Sequence, residues 1–375
     1  MKKNSFNKRS IIRFKHFSRK GYALFNCLGK EVLVGTLSIA TLTYAKADGV
    51  SVKPLVATDT LSRQELKLDE VVVTGSRAPL TALQSAKVVA VITREDIHRA
   101  AAASINDVLK LATGVDVRQR GGFGVQTDIS INGGTHDQVT ILLNGVNISN
   151  PQTGHNAADF PVALDDIERI EVLEGASARI FGSSAFSGAI NIVTRSNVDG
   201  QRLRGSGEGG SFGTFGGGIG YEMGNPLAYH LLASGGYMHS DGGTPHSDFK
   251  KGRFYANFQF GKTELLRLNL QVGLNTQRYG ANTFYSPRFD NQFEKTAHLI
   301  TSASLTLHDL VKGLDITAGG SNNYFEDHFQ LIRGKEGAAN GENYHHLNVY
   351  GLTLGATMAW SMGKTAVGID YSNEQ

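Results

Sequence analysis

The chain has 375 residues, with 37 Lys+Arg against 34 Asp+Glu, 45 glycines, 7 prolines and one cysteine. Ten of the basic residues and a single acid, Glu31, fall within residues 1–47, so the rest of the chain carries a net charge of −6, which argues against nucleic acid as a partner. Abundant glycine, scarce proline and 40% hydrophobic residues with no long apolar run after the first 47 exclude an ordinary helical soluble protein. They fit a membrane β-barrel, whose apolar residues alternate rather than accumulate.

Residues 1–47 have the parts of a secretory signal: a basic start, an apolar run over 32–45 too short to span a bilayer, and a small-x-small site at Ala45-Lys46-Ala47. The exported chain is expected to begin near Asp48. Cys27 lies inside the signal, which leaves no disulfide framework, and Phe25-Asn26 before it argue against a lipoprotein anchor. Residues 48–67 are polar and aperiodic and read as a flexible tether. Next comes LDEVVVTGSR over 68–77, a β-branched run that reads as a strand. Its partner edge is open: it is either the first strand of the adjoining domain or a segment offered to another protein's sheet.

Residues 78–195 show a compact α+β pattern. A strand is expected over 87–92, then a short helix capped by Thr93 with Asp96, then a second capped by Ser104 with Asp107. The second places Ile105, Val108 and Leu109 on one face and stops at Gly114. Strands come next over 115–118, 128–131, 139–143, 167–173 and 190–194, with Asn144-Gly145 as a hairpin turn. Arg169 and Glu171 read either as a solvated strand face or as a latch between this domain and the strands after residue 195.

After residue 195 the period is two. Phe254, Ala256, Phe258 and Phe260 alternate with Tyr255, Asn257 and Gln259, and Leu268, Leu270, Val272 and Leu274 repeat the pattern, which suits lipid on one face and a polar lumen on the other. A soluble sandwich alternates too. Loop lengths favour the barrel: short at 261–264, long over 279–295, short at 309–313, long over 326–344 and short at 361–364, the rhythm of periplasmic turns and external loops. About nine strands are expected, each near the roughly 9 to 11 residues of a tilted membrane strand. Only 180 residues come after Arg195, whereas a plugged barrel of about 22 strands at ~20 residues each needs on the order of 450. The chain therefore reads as a fragment, the alternative being a small barrel with no room for a plug.

Chemical motifs are sparse. The segments ending in Gly261-Lys-Thr263 and Gly363-Lys-Thr365 lack the first glycine of a phosphate loop, and no nucleophile elbow or zinc spacing stands out. In the loop His239-Ser-Asp-Gly-Gly-Thr-Pro-His-Ser-Asp248, Asp241 and Asp248 are candidate calcium ligands, the alternative being a solvated Gly-rich loop. His239 and His246 there are candidates for contact with haem or a metal chelate.

Ser104-Ile-Asn-Asp-Val-Leu109, Thr113-Gly-Val-Asp116, Val139-Thr-Ile-Leu-Leu-Asn-Gly145, Ile167-Glu-Arg-Ile-Glu-Val-Leu-Glu-Gly175 and Phe181-Gly-Ser-Ser-Ala-Phe-Ser-Gly-Ala-Ile-Asn-Ile-Val-Thr194 resemble the plug domain of TonB-dependent outer-membrane receptors. Order and spacing are kept over roughly residues 68–195. The Asn-Asp-Val-Leu, Gly-Val-Asp and Gly121-Gly122 elements look most similar to the cobalamin transporters. Thr113 stands where the family usually has proline, and Asn132 where it usually has arginine, which puts an inherited plug-to-barrel ion pair at that point in doubt.

The resemblance implies an α+β plug domain followed by antiparallel transmembrane β-barrel strands. The expected division is a signal peptide over 1–47, a periplasmic tether over 48–77, the plug over 78–195 and the N-terminal part of the barrel over 196–375. It implies a TonB box at Glu70, Val71, Val72, Val73 and Thr74, where main-chain groups pair with the edge of a TonB sheet. It further implies a Gram-negative outer-membrane importer rather than an enzyme, energised by the TonB complex and surrounded by outer-membrane lipid. Its scarce nutrient would meet the plug apex near Arg120, Phe123, Gln126, Asn150, Gln152 and His155. Cobalamin leads as ligand, with siderophore, haem and glycan open, and no cofactor is expected apart from calcium in an external loop. An uncoupled structural or adhesion barrel and a soluble secreted binding module are the competing readings.

Overall fold

Two periodicities in one chain build two kinds of sheet. The computed structural model describes residues 72–73, 80–81, 89–152, 159–175, 178, 181, 185–261 and 265–375. The signal and most of the tether lie outside them, as do Glu70, Val71, Thr74 and His155. Within the unit Leu68–Gln375, strand β1 (Val72–Val73) pairs antiparallel with β2 (Leu80–Thr81), Val72 opposite Thr81.

The plug starts with β3 (Val89–Thr93). Thr93 then caps helix α1 (Arg94–Arg99): its hydroxyl accepts from the Asp96 N–H while the Asp96 carboxylate accepts from the Thr93 N–H at 3.0 Å. Ser104 likewise caps α2 (Ile105–Leu109), which buries Ile105, Val108 and Leu109 as the pattern requires. Gly114, at φ +82°, turns the chain into β4 (Val115–Arg120), a hairpin partner of β5 (Gln126–Ile131). Strands β6 (Val139–Leu143), β7 (Val146–Asn147), β8 (Ile167–Glu174) and β9 (Gly188–Thr194) complete a five-stranded sheet in the order β3-β8-β9-β6-β7, parallel only between β6 and β9. Asn144 and Gly145, at φ +52° and +81°, make the tight turn between β6 and β7. Ile141, Leu143, Ile170, Ile190 and Ile192 form the plug core with Val108 and Leu109. The solvated-face reading of Glu171 is corrected here: its side chain is fully buried, accepts from Asn191 at 3.0 Å and contacts Arg169 at 2.9 Å.

The second sheet is an antiparallel meander of nine strands in sequence order: β10 (Gly200–Gly209), β11 (Phe215–Asn225), β12 (Tyr229–Ser240), β13 (Phe249–Phe260), β14 (Leu266–Gly280), β15 (Phe293–Val311), β16 (Leu314–Gln330), β17 (Glu342–Trp360) and β18 (Gly363–Glu374). Its two faces differ as the alternation demands. Tyr255, Asn257, Gln271, Gln277 and Tyr279 are buried on the plug side, while Phe254 and Leu270 are exposed on the other, with Phe258, Leu268 and Leu274 half-buried among their outward neighbours. Connections at one end are short (226–228, 261–265, 312–313, 361–362) and at the other longer (210–214, 241–248, 281–292, 331–341). The plug packs on the inner face closely enough to need a glycine there: a Cβ on Gly273 would stand 2.6 Å from Pro161 Cγ.

Candidate functional site

The β4–β5 hairpin carries the turn Gly121-Gly-Phe-Gly-Val125 toward the long-loop end of the wall. Gly121, Phe123 and Gly124 all have positive φ, +70°, +53° and +58°, so the turn is coiled tightly and its carbonyls point outward from it. The wall takes three successive carbonyls. Lys251 Nζ donates to the Phe123 and Gly124 oxygens at 3.0 and 3.3 Å, and Gln277 Nε2 donates to the Val125 oxygen at 3.0 Å. Gln277 Nε2 also donates to both carboxylate oxygens of Asp159, each at 2.9 Å. Asp159 is buried in the plug segment facing Lys251, and burial pushes its carboxyl up to about 7 against the pull of the Lys251 charge and of hydrogen bonds from Gln277 and Thr296.

The expected apex residues are partly gathered here. Arg120 donates to Gln126 Oε1 at 3.2 Å and pairs with Asp128 at 3.2 Å, so its guanidinium stiffens the hairpin. Gln126 Nε2 donates to the Tyr285 hydroxyl at 2.6 Å, and that hydroxyl donates to Glu294 at 2.6 Å, which links the apex to a long loop and the wall. Phe123 remains exposed, with its ring 5.5 Å from that of Phe249. Asn150 accepts from the Gln152 N–H at 2.8 Å and so shapes a local turn, and the neighbouring Ser149 carbonyl accepts from Asn323 of the wall at 3.0 Å. The candidate calcium loop has other engagements: Asp248 receives a bidentate Arg333 at 2.6 and 2.9 Å, and Asp241 faces His239 at 3.2 Å. Among the described residues no group of three His, Cys, Asp or Glu side chains has metal-holding spacing.

Further from the apex, polar groups outside the expected site bind plug to wall. Asn144 Nδ2 donates to the Tyr255 hydroxyl at 2.8 Å and to Gln271 Oε1 at 2.7 Å, directly beneath the β6–β7 turn. Asp166 accepts from Arg204 at 2.9 Å and from Ser234 at 2.5 Å. Where the plug leads into β10, Arg195 contacts the fully buried Glu222 at 2.8 Å, and His230 meets the same carboxylate at 3.0 Å. Asn132 donates to Glu174 within the plug at 2.8 Å. The arrangement joins plug to wall by a polar seal of hydrogen bonds and ion pairs, beside apolar contacts in which Leu232, Tyr255 and Ile300 of the wall share the plug core and Val125 packs with Phe249 and Tyr279.

A family model described as the TonB-dependent receptor plug domain matches residues 81–189. The vitamin B12 transporter BtuB of Vibrio vulnificus (strain CMCP6) is 29% identical over 275 residues, 72% of this chain and 40% of the transporter's own length. The solved ferric citrate transporter FecA, in its unliganded form, shares the fold at a TM-score of 0.62 and 16% identity, over 77% of this chain and 48% of that one. The siderophore receptor PiuA of Acinetobacter baumannii does so at 0.61 and 16%, over 82% and 48%. The chain thus spans less than half the length of these relatives. Plug match, curated relative and shared fold together make residues 81–189 a plug domain of the TonB-dependent receptor kind, set against part of a β-barrel, in a chain similar to the vitamin B12 transporter.

Proposed function

We propose that the chain is the plug-bearing part of an energy-coupled importer of the Gram-negative outer membrane, with cobalamin as its ligand. In this reading the long connections face outward, the exposed Phe123 turn and neighbouring loops meet the nutrient, and TonB pulls on the segment Glu70 to Thr74 from the periplasm. The observation that carries it is the polar seal, in which Lys251 and Gln277 hold the apex turn by its carbonyls. A mechanical pull can exchange such bonds for water one at a time. The family match and the 29% identity to a vitamin B12 transporter support coupling and ligand respectively. Iron chelates are the runner-up, since the receptors that share the fold include ones named for them.

Pairing of Val72–Val73 with Leu80–Thr81 bears on the coupling step. The ladder is two residues long, too short to be stable alone, so a partner strand that offers a longer edge displaces it readily. Val72→Pro removes one N–H and fixes φ, and is expected to abolish uptake while surface binding of cobalamin persists. Normal uptake faults the coupling role; joint loss of binding and uptake assigns the segment to the plug. Deleting the complete gene tests the ligand: unchanged cobalamin uptake, with growth lost on haem or an iron chelate, moves the assignment to that class.

A further inference from the structure

The inward face of the wall between β10 and β13 carries cations on four successive rows of the sheet. Strand register puts Lys251 in a row with Met238, Gly216 and Glu208, and Arg253 in the next with Gly236, Gly218 and Ser206. Arg204 lies one row further toward the short connections, with Gly220, Ser234 and Tyr255, and Arg202 one row beyond that, with Glu222, Leu232 and Asn257. Rows on one face are about 7 Å apart, so the ladder descends roughly 20 Å from the apex. Between the flanking strands the floor is bare, because β11 turns Gly216, Gly218 and Gly220 inward and β12 adds Gly236. Guanidinium groups from both sides lie on that floor: a Cβ on Gly236 would stand 2.9 Å from Arg253 Cζ, and one on Gly220 would stand 3.3 Å from Arg204 Nη2.

Two rungs are filled by acids of the plug. Asp166 takes Arg204 at 2.9 Å, with the Asp165 carbonyl beside it at 2.6 Å, and Asp159 faces Lys251. Arg253 Nε is buried without a hydrogen-bond partner among the described residues. Arg202 is exposed opposite Glu222, which Arg195 and His230 hold, and Glu208 is exposed at the rim. Asp159 and Asp166 belong to the plug, so a plug that moves takes them with it and leaves Lys251 and Arg204 in need of another oxyanion. We propose that this glycine-floored ladder is a transit site for an oxyanion of the imported nutrient, a phosphodiester or a carboxylate, which takes the places of Asp159 and Asp166 as the plug yields. Arg253 stands between those two places, and its planar fork matches such a group. The transit site deepens the import proposed above and rests on it.

The test uses cells carrying the complete gene and reads surface binding and uptake separately, with cobalamin and with cobinamide, a corrinoid that lacks the phosphodiester. Arg253→Gln should leave surface binding of both within twofold and slow cobalamin uptake about tenfold, the equivalent of one hydrogen bond to a charged group, while Arg253→Lys stays within about threefold of the parent. Cobinamide uptake should respond to neither variant. Cobalamin uptake by Arg253→Gln within twofold of the parent, or an equal fall for cobinamide, overturns the proposal. Heat-dependent electrophoretic mobility reports folding; if Arg253→Gln does not fold, the exposed Arg202→Gln, expected to slow cobalamin and spare cobinamide, decides in its place. A parent that imports neither corrinoid faults the ligand reading instead, and the ladder is then read without a nutrient. The intact receptor in a planar bilayer, its plug loosened by urea, should prefer chloride to potassium, and Arg253→Gln/Arg202→Gln should at least halve the reversal potential in a salt gradient. An unchanged reversal potential overturns the ladder itself.

Discussion

Lys251→Met keeps the length of the wall side chain that grips the apex and removes its three donors. The Phe123 carbonyl is on the exposed side, so water replaces that bond at little cost, whereas the Gly124 carbonyl is partly buried and loses a bond from a charged donor. Asp159 also loses the positive charge beside it, but with its carboxyl already pushed up to about 7 it takes up a proton instead of remaining a buried anion. The net weakening of apex docking is therefore about 2–3 kcal/mol, a hydrogen bond to a charged group plus a small remainder. Hydrogen exchange reads this locally: amides over 120–126 should exchange roughly 30- to 150-fold faster, while those of β6, docked through Gln271 and the Leu143 carbonyl, keep their rates. Acceleration below threefold at the apex, or equal acceleration in β6, would refute the local-grip argument.

Arg195→Met leaves Glu222 buried beside His230 alone and should cost about 3–5 kcal/mol in denaturant titrations; adding Glu222→Gln should recover most of it. Burial raises the Asp159 carboxyl, so the folded state favours the protonated form. Its contribution is fully present below about pH 4 and is lost as pH rises through about 7, at a slope of at most ~1.4 kcal/mol per pH unit. Melting measured from pH 4 to 8 should show that slope in the parent and lose it in Asp159→Asn; an unchanged slope would implicate another group. Gly273→Ala forces a methyl against Pro161 and should lower stability by about 1–3 kcal/mol, with the short-loop half of the wall unaffected in exchange experiments.

Local chemistry carried most of the fold. Thr93 and Ser104 each announce a helix because a cap needs only residues three apart, and Asn144-Gly145 announces a turn because both positions need positive φ. The alternation over Phe254 to Leu274 likewise showed which face of the wall would be turned outward. The seal was not legible for the opposite reason. Lys251 and the turn it holds are 127 and 128 positions apart, and a lysine next to Phe249 looks like any strand lysine until the plug is docked. Arg195 and Glu222 are closer in sequence but belong to different sheets, so no single period relates them. Arg120, expected at the ligand, pairs with Gln126 and Asp128 in the structure. The hairpin register that sets Arg120 opposite Gln126, two positions from Asp128, was the available signal for its structural role.

At positions 123 to 125 the hydrogen bonds from the wall go to oxygens that every residue possesses. Lys251 and Gln277 bind the carbonyls of positions 123, 124 and 125, and none of those bonds asks what side chain position 123 bears. Closure and recognition are therefore separable at this point of the molecule. Under the proposed function, exchanging Phe123 for another side chain that tolerates its backbone alters what meets the nutrient while these three bonds remain. A library at position 123 alone would change the side chain that meets the Phe249 ring while the carbonyl bonds to Lys251 and Gln277 persist.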